Sequence, residues 1–560
     1  AILVQTNAEL LPLYDVLRAR KIPVELSGKV DLLSHPLVLQ AVTILHAVEK
    51  PSENYRFLNA LACGCFDLPA IDLANLAKAS RDEKKSLQDL LIDLQNGTKE
   101  IPFMEREKLL LVGKTILDLH LRTDSRTIVE TTERVLRECH LLPEQQDDGS
   151  IDVHACAVAQ IFFDYVQARA YELPGYALEM LLSDLEFYGN PEYRDVRLTY
   201  TLPHLTEEGV QLMTAHKSKG LEFATVIIPN FREGHWDRRR NPSSLSMPED
   251  LLFGWRKEEK EFEQSQDERR VAYVAMTRAR EELIFTCPQV ITTGGNEKAV
   301  SPSGFFAEAG ELPEEHREIE APAQAVTLLH PALRKYPEET RSFLKEQIEH
   351  FSLSPTALHD FLENPQQFLE RHLLRFPTAR NPSYAYGNAV HHVLAEWGIS
   401  VQRGEPLPEK ILLAKFREHL SEREVLTDAE RKRLEKLGEE ALSRYYSSSL
   451  LGKQPIIHKV ECELRAHVED TPIKGKLDRI DLFGQNDARA IVYDYKTGKP
   501  ATPAQIEERG YGRQLLFYDV LLRQALPMLR PERYVLSFVG EEGESPIEQE
   551  FTFMEKDRRD

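Results

Sequence analysis

The sequence predicts an α/β multidomain protein: a parallel-sheet domain interrupted by an all-helical insertion, then a second α/β domain. Three observations predict it. Strand-like and helix-like runs alternate over residues 1–34 and again over 196–290. Between them, over 35–195, apolar residues recur at three-to-four spacing with few strand candidates. After a stretch rich in Gly, Pro and Glu, 291–350, a fresh series of helices and strands occupies 351–560.

The bulk properties agree with several domains. The chain has 560 residues and is 42% hydrophobic, enough for three or four cores at about 100–200 residues each. It contains no run of about 18 consecutive apolar residues, and no basic-then-apolar segment opens it; a soluble, cytoplasmic protein that does not enter a membrane is expected. The opening "AILVQTN" lacks Met and is already strand-like, which reads as a start inside a longer protein. Six cysteines include one close pair, "ACGC", and no second pair to complete a zinc site, so free thiols are expected. The net charge of −21 excludes indiscriminate coating of nucleic acid. It still allows a local groove, because screening confines surface charge to about 10 Å.

Taken in order, "AILVQT" reads as a strand. "NAELLPLYDVLRARK" reads as a helix with Leu10, Leu11, Tyr14 and Leu17 on one face, and "IPVELS" as a second strand. Helices such as "HPLVLQAVTILHAVE" and "AQIFFDYVQARAYE" fill the insertion. Inside it, "VGKT" at 112–115 imitates a phosphate-binding loop, but Lys108 stands where the first Gly belongs, and its leucine-rich setting predicts a core helix. "GVQLMTAHKSKGLEFATVIIPNF" returns to strand, loop and strand, and "ERRVAYVAMTRAREELIFTCP" supplies a helix burying Val271, Val274 and Ala275 before another strand. Residues 291–350 are expected to be an extended linker with little core. Beyond it, "LSPTALHDFLENPQQFLERHLL" opens a helical unit. A helix around His391, one long charged helix over 409–447, strands over 456–498, the helix "GRQLLFYDVLLRQAL" and terminal strands follow.

Two segments of the first domain carry chemistry. In "MTAHKSKGLEF" a strand ends at Thr214 and a polar loop follows, where Lys219 and Gly220 are placed for backbone N–H groups to meet phosphate. In "DERRVAYVAMTRARE" a helix ends by presenting Thr277, Arg278 and Arg280, and an Arg there suits neutralisation of charge developing in phosphoryl transfer. In order and spacing these segments resemble the fifth and sixth motifs of UvrD/RecB-type superfamily 1 DNA helicases, and "AILVQTNAEL" resembles the fourth. The resemblance implies a second RecA-like helicase domain, built from 1–34 and 196–290, with 35–195 as its helical insertion. It places Thr214, His216 and Lys219 along the DNA backbone, and Gly220, Glu222 and Arg278 at the nucleotide, Glu222 near the ribose and Arg278 near the γ-phosphate. Gln5 stands where the family usually has an Arg. No G-x-x-x-x-G-K-[ST] loop occurs, so the ATP-holding first domain is missing from this stretch, which is not expected to hydrolyse ATP alone.

The second domain raises a different question. In the strand "IVYDYKTG" alternate residues share a face, so Asp494 and Lys496 point one way while Tyr493 and Tyr495 point the other. A neighbouring strand, "IKGKLDRIDLF", offers Asp478 on the face of Ile480. Two carboxylates brought together repel unless a cation lies between them, and oxygen ligands suit Mg²⁺ or Mn²⁺. Lys496 would then face a scissile phosphate. In "YGNAVHHVLAEW" the stripe Val390, Val393, Leu394 and Trp397 leaves His391 at its edge, in reach of such a site, and His392 opposite. Gln514 and Tyr518 are i, i+4 on one helix face.

The ordered set G-x-x-x-H, G-x-x-D, D-Y-K and Q-x-x-x-Y resembles the RecB-type nuclease domain of the PD-(D/E)XK superfamily, over 351–560. By that resemblance His391, Asp478 and Asp494 bind the metal with the Tyr495 carbonyl. Lys496 is catalytic, Gln514 and Tyr518 complete the site, and Glu461 is an accessory carboxylate. Some relatives hold an iron-sulfur cluster through cysteines; here Asn364 stands at the first such position and no Cys follows Cys462, so no iron-sulfur cluster is expected. A helicase domain joined to this nuclease resembles the AddA/RecB-type helicase-nuclease subunit. That implies ATP in the intact protein, DNA as partner (a duplex end at the motor, a single strand at the nuclease), an AddB/RecC-type partner subunit, and processing of broken ends for recombinational repair. The alternatives are a DNA-binding scaffold with a vestigial helicase and inactive nuclease, and a stand-alone nuclease with the helicase remnant as a clamp.

Overall fold

The computed structural model describes residues 1–20, 22–97, 101–144, 151–190, 197–201, 209–237, 257–293, 296–309, 313, 315, 337–379, 381–450, 455–484, 488–540 and 547–554. Two compact units result. The first comprises Ala1–Leu117, Val135–Phe162 and Glu179–Phe343, and the second Asp118–Arg134, Phe163–Leu178 and Leu344–Asp560. No helix of the described residues is long and apolar enough to cross a membrane.

In the first unit the strands Ile2–Val4, Val24–Ser27, Val210–Thr214, Phe223–Ile228 and Ala279–Phe285 form one sheet, all neighbours parallel. Ile2–Val4 lies between Val210–Thr214 and Phe223–Ile228, so segments about 210 residues apart in sequence share a register, Leu3 opposite Met213. Leu3, Met213, Val226, Ile228, Phe231 and Trp236 are buried together against Ala272 and Ala275 of the helix Lys257–Met276. Among the described residues of that helix the two alanines, not Val274, reach the core; Val271 and Met276 pack at its margin. The "VGKT" segment lies in the helix Arg106–Leu121, where a Cβ on Gly113 would meet Leu91 at 2.8 Å. It is core helix, not a phosphate loop. Within 291–350 the described residues include regular elements. Val290–Thr293 pairs with Asn296–Ala299, Phe305 joins the sheet core, and Pro337–Glu349 is helical. Phenylalanines inside a Gly/Pro-rich stretch were the overlooked sign.

The second unit is built on the sheet Ile456–Val468, Thr471–Leu482, Arg489–Lys496, Arg530–Phe538 and Glu548–Phe551, in that spatial order. Only Arg489–Lys496 and Arg530–Phe538 are parallel, joined through the helix Tyr511–Ala525; the other neighbours are antiparallel. One core joins Leu515, Leu521 and Leu522 of that helix to Leu477, Ile480, Val492, Leu536 and Phe538 of the sheet. A second joins Val390, Val393, Leu394 and Trp397 of the helix Pro382–Gln402 to Phe416, Leu434 and Leu442, and to Tyr495 and Val539. The stripe assigned from sequence is therefore the buried face. His392 points away from it, its ring 4.5 Å from that of His419.

The long charged helix expected over 409–447 is two helices, Glu409–Glu422 and Asp428–Tyr445. Thr427 caps the second reciprocally: its hydroxyl accepts from Glu430 N, and Glu430 Oε2 accepts from Thr427 N at 3.0 Å. T-x-x-E is the start signal that charge periodicity concealed. Asn364 caps Pro365–Phe368 through its side chain alone, accepting from Gln366 N and Gln367 N.

Gly475 decides how near the helix Tyr511–Ala525 approaches the sheet. A Cβ there would lie 2.9 Å from Leu521 Cδ2 and 3.3 Å from Tyr518 Cε1. Gly475→Val is expected to destabilise the second unit by about 1–3 kcal/mol through overpacking. Thr427→Ala should cost about 1 kcal/mol through the lost cap. Chemical denaturation, followed by circular dichroism, checks both; a glycine substitution without effect would mean that the helix has room to spare.

Candidate active site

One helix and the two neighbouring strands of the second unit meet at Asp478. Register sets Arg479 opposite Tyr493 and Ile480 opposite Val492, which brings the end of Arg489–Lys496 alongside Asp478. Tyr495 N donates to Asp478 Oδ2 at 2.6 Å, and His391 Nδ1 donates to Asp478 Oδ1 at 3.0 Å. Asp478 is 8% exposed, so both of its oxygens are satisfied inside the fold rather than by bulk water.

Glu461 completes this side. The pairing of Ile456–Val468 with Thr471–Leu482 runs in one register from Val460 opposite Arg479 to Cys462 opposite Leu477, so Glu461 and Asp478 lie across from each other, Glu461 with φ 49°. Left-handed backbone is costly for a residue with a Cβ and persists where neighbours over-determine it. Here the register is the same on either side, and the Glu461 carboxylate meets Asp478 directly across from it. Ligand atoms of His391, Glu461 and Asp478 lie within 4.8 Å of one another, one nitrogen and two carboxylates, a donor set that suits a hard divalent cation. The group fits an ion, which would take the place of the proton between His391 and Asp478. Lys476 is paired with Glu461. Glu461 is the member that sequence reasoning placed only at the margin, because nothing in "HKVECEL" announces which residue of the neighbouring strand it will face.

Asp494 belongs to an adjoining network. Lys496 Nζ lies 2.7 Å from Asp494 Oδ2 and donates to Gln514 Oε1 at 2.7 Å. Gln514 Nε2 donates to Asp494 Oδ1 at 3.0 Å and to Tyr518 Oη at 2.9 Å. Every polar atom of the Gln514 amide is thereby engaged, which fixes its orientation. The Asp494 and Lys496 side chains are 5% and 16% exposed, so the pair sits where water screens little. Burial pushes the Asp494 carboxyl above its ordinary value; Lys496 opposes this, and Asp478 adds to it. Burial also opposes a charge on His391, but Asp478, with Asp494 and Glu461 behind it, outweighs that and raises the imidazole. The structure thus gathers His391, Glu461 and Asp478 in one cluster and Asp494, Lys496, Gln514 and Tyr518 in another, linked by the Tyr495 backbone.

The opposite face of the same strand is structural. Arg479 lies 3.8 Å from the Tyr493 ring centroid, donates to Tyr495 Oη at 2.9 Å and pairs with Asp481 at 3.0 Å. Tyr495 therefore contributes to the site through its backbone, while its ring anchors the strand.

In the first unit the loop after Val210–Thr214 is an exposed arch. Thr214 itself is buried, its hydroxyl accepting from Lys217 N at 3.4 Å, whereas His216, Lys219, Gly220 and Glu222 are exposed. Gly220 has φ 90° with open space at its Cβ position, a conformation that favours glycine. Arg278 reaches this arch: Nη1 donates to Leu221 O at 3.0 Å, between Gly220 and Glu222. Its Nε donates to Val274 O and its Nη2 to Thr277 Oγ1, both at 3.0 Å. Gly220, Glu222 and Arg278 are thus neighbours.

Comparison with known proteins agrees with this division. Residues 352–559 match the PD-(D/E)XK nuclease superfamily, and residues 196–289 match the UvrD-like helicase C-terminal domain. The chain is similar to the ATP-dependent DNA helicase Rep of Buchnera aphidicola, 24% identical over 56% of this chain and 44% of that protein. It is also similar to DNA helicase II of Escherichia coli, 26% identical over 56% of this chain and 40% of the relative. With ATP-dependent DNA helicase PcrA of Leuconostoc citreum it shares 24% identity over 55% of this chain and 38% of the relative. The chain therefore spans less than half the length of these relatives. It carries a UvrD-like helicase C-terminal domain followed by a nuclease domain of the PD-(D/E)XK superfamily.

Proposed function

We propose that this chain is the C-terminal part of an ATP-dependent DNA helicase-nuclease of AddA/RecB type, and that residues 351–560 are a metal-dependent deoxyribonuclease. The observation that carries the reading is that His391 and Asp478 lie in one cluster and Asp494 and Lys496 in the adjoining one, the two joined through the Tyr495 backbone. A structural ion pair needs one carboxylate; this site holds three, counting Glu461, with a histidine and a lysine.

His391, Asp478 and Asp494, with the Tyr495 carbonyl and Glu461 beside them, would hold Mg²⁺ or Mn²⁺. When bound, such an ion polarises a phosphate and lowers the pKa of a water ligand. Lys496 faces the phosphate and neutralises charge that develops on it during hydrolysis. Gln514 keeps the ammonium and the Asp494 carboxylate in register, and Tyr518 holds Gln514. In the helicase half, Thr214, His216 and Lys219 lie along the DNA backbone, while Gly220, Glu222 and Arg278 serve ATP held mainly by a domain of the intact protein. Arg278 leaves the Leu221 carbonyl to reach the γ-phosphate. Residues 1–34 and 196–290 are the motor portion and 35–195 its helical insertion. The intact cytoplasmic protein, with an AddB/RecC-type subunit, unwinds and degrades broken duplex ends for recombinational repair.

Nucleotide release from linear single- and double-stranded DNA tests this. With Mg²⁺ or Mn²⁺ and no ATP, the chain should cut single strands. Asp494→Ala should abolish cutting, and Lys496→Ala should lower kcat by about 10²–10³-fold. A chain that binds DNA and cuts nothing with either metal would instead be a scaffold.

A further inference from the structure

Lys496 has a third contact that the motif residues do not supply. Its ammonium lies 4.5 Å from the centroid of the Tyr511 ring. Tyr511 opens the helix Tyr511–Ala525, so Tyr511, Gln514 and Tyr518 stand at i, i+3 and i+7 on one helix face. All three are turned to the same spot: Tyr518 to Gln514, Gln514 to Asp494 and Lys496, and Tyr511 to Lys496. The helix starts abruptly there, after Gly510 with φ 66°, and Tyr511 packs at the margin of the core that the helix shares with the sheet.

The chemistry of these contacts separates them. Asp494 has two claimants, the lysine and any cation in the site, and a carboxylate turned to a metal holds the lysine less well. Gln514 is neutral, and its amide is shared with Asp494 and Tyr518. An aromatic face attracts an ammonium through its quadrupole, yet does not compete for a hard divalent cation or accept the lysine's proton. We propose that Tyr511 is a positioning residue for the nuclease: its ring keeps Lys496 aimed into the site when Asp494 is engaged elsewhere. This rests on the nuclease reading above.

The test uses the full chain in two measurements. In steady-state cleavage of single-stranded DNA, Tyr511→Leu should lower kcat by about 10-fold with KM unchanged, and Tyr511→Phe, which keeps the ring, should stay within about 2-fold of the parent. In metal-free, DNA-free protein labelled with ε-¹³C lysine, the Lys496 methylene signal, assigned by its loss in Lys496→Arg, should be shifted upfield by the ring. That shift should survive in Tyr511→Phe and vanish in Tyr511→Leu. Tyr511→Met replaces the leucine variant if the latter does not fold. An unshifted Lys496 signal, a kcat indifferent to loss of the ring, or a phenylalanine variant as impaired as the leucine one would overturn the proposal. A parent chain that cuts nothing overturns the nuclease reading instead, and the resonance then decides the Lys496–Tyr511 contact by itself.

Discussion

The carboxylate of Asp478 is the point on which the second unit turns. One oxygen takes the backbone N–H of Tyr495 and the other the imidazole of His391, so a strand, its neighbour and a helix from the opposite layer share one anion. At 8% exposure, its oxygens depend on these partners rather than on bulk water for hydrogen bonds. Register follows from the same constraint. A slip of one residue between Thr471–Leu482 and Arg489–Lys496 would turn Asp494 and Lys496 to the Arg479 side and bring two tyrosines into the site.

The two faces of Arg489–Lys496 divide the labour. On one, Tyr493 and Tyr495 enclose Arg479, whose charge is met by Asp481. On the other, Asp494 and Lys496 meet Gln514. The buried guanidinium braces the strand on the face opposite Asp494 and Lys496. The helix Tyr511–Ala525 reaches that pair because Gly475 leaves space for Leu521 and Tyr518, which gives the G-x-x-D spacing a packing reason besides its carboxylate. Activity and stability are in tension at this site. Burial raises the Asp494 carboxyl, so grouping these carboxylates without a cation is unfavourable for the fold.

Much of this was legible in the residues. Period-two alternation in "IVYDYK" separated Asp494 and Lys496 from the tyrosines, and the stripe of Val390, Val393, Leu394 and Trp397 set His391 at the helix edge; both arrangements are observed. Leucine density around "VGKT" correctly marked a helix. What escaped depends on tertiary contacts or on weak local signals. The left-handed turn at Glu461 has no glycine to announce it. Phe305 joins the first core from a segment whose composition suggested a linker. Tyr511 acquires meaning only once the helix is docked against Lys496. In the first unit the sheet pairs Ile2–Val4 in parallel with Val210–Thr214, strands that alternation in sequence marked.

The most direct measurement is a crystal structure of this chain with Ca²⁺ and a short single-stranded oligonucleotide, using the ion to occupy the site without promoting cleavage. The account predicts a cation held by His391, Asp478 and Asp494, with Lys496 withdrawn from Asp494 toward a phosphate oxygen. A structure with the oligonucleotide bound elsewhere, no cation at these residues and Lys496 still paired to Asp494 would contradict it.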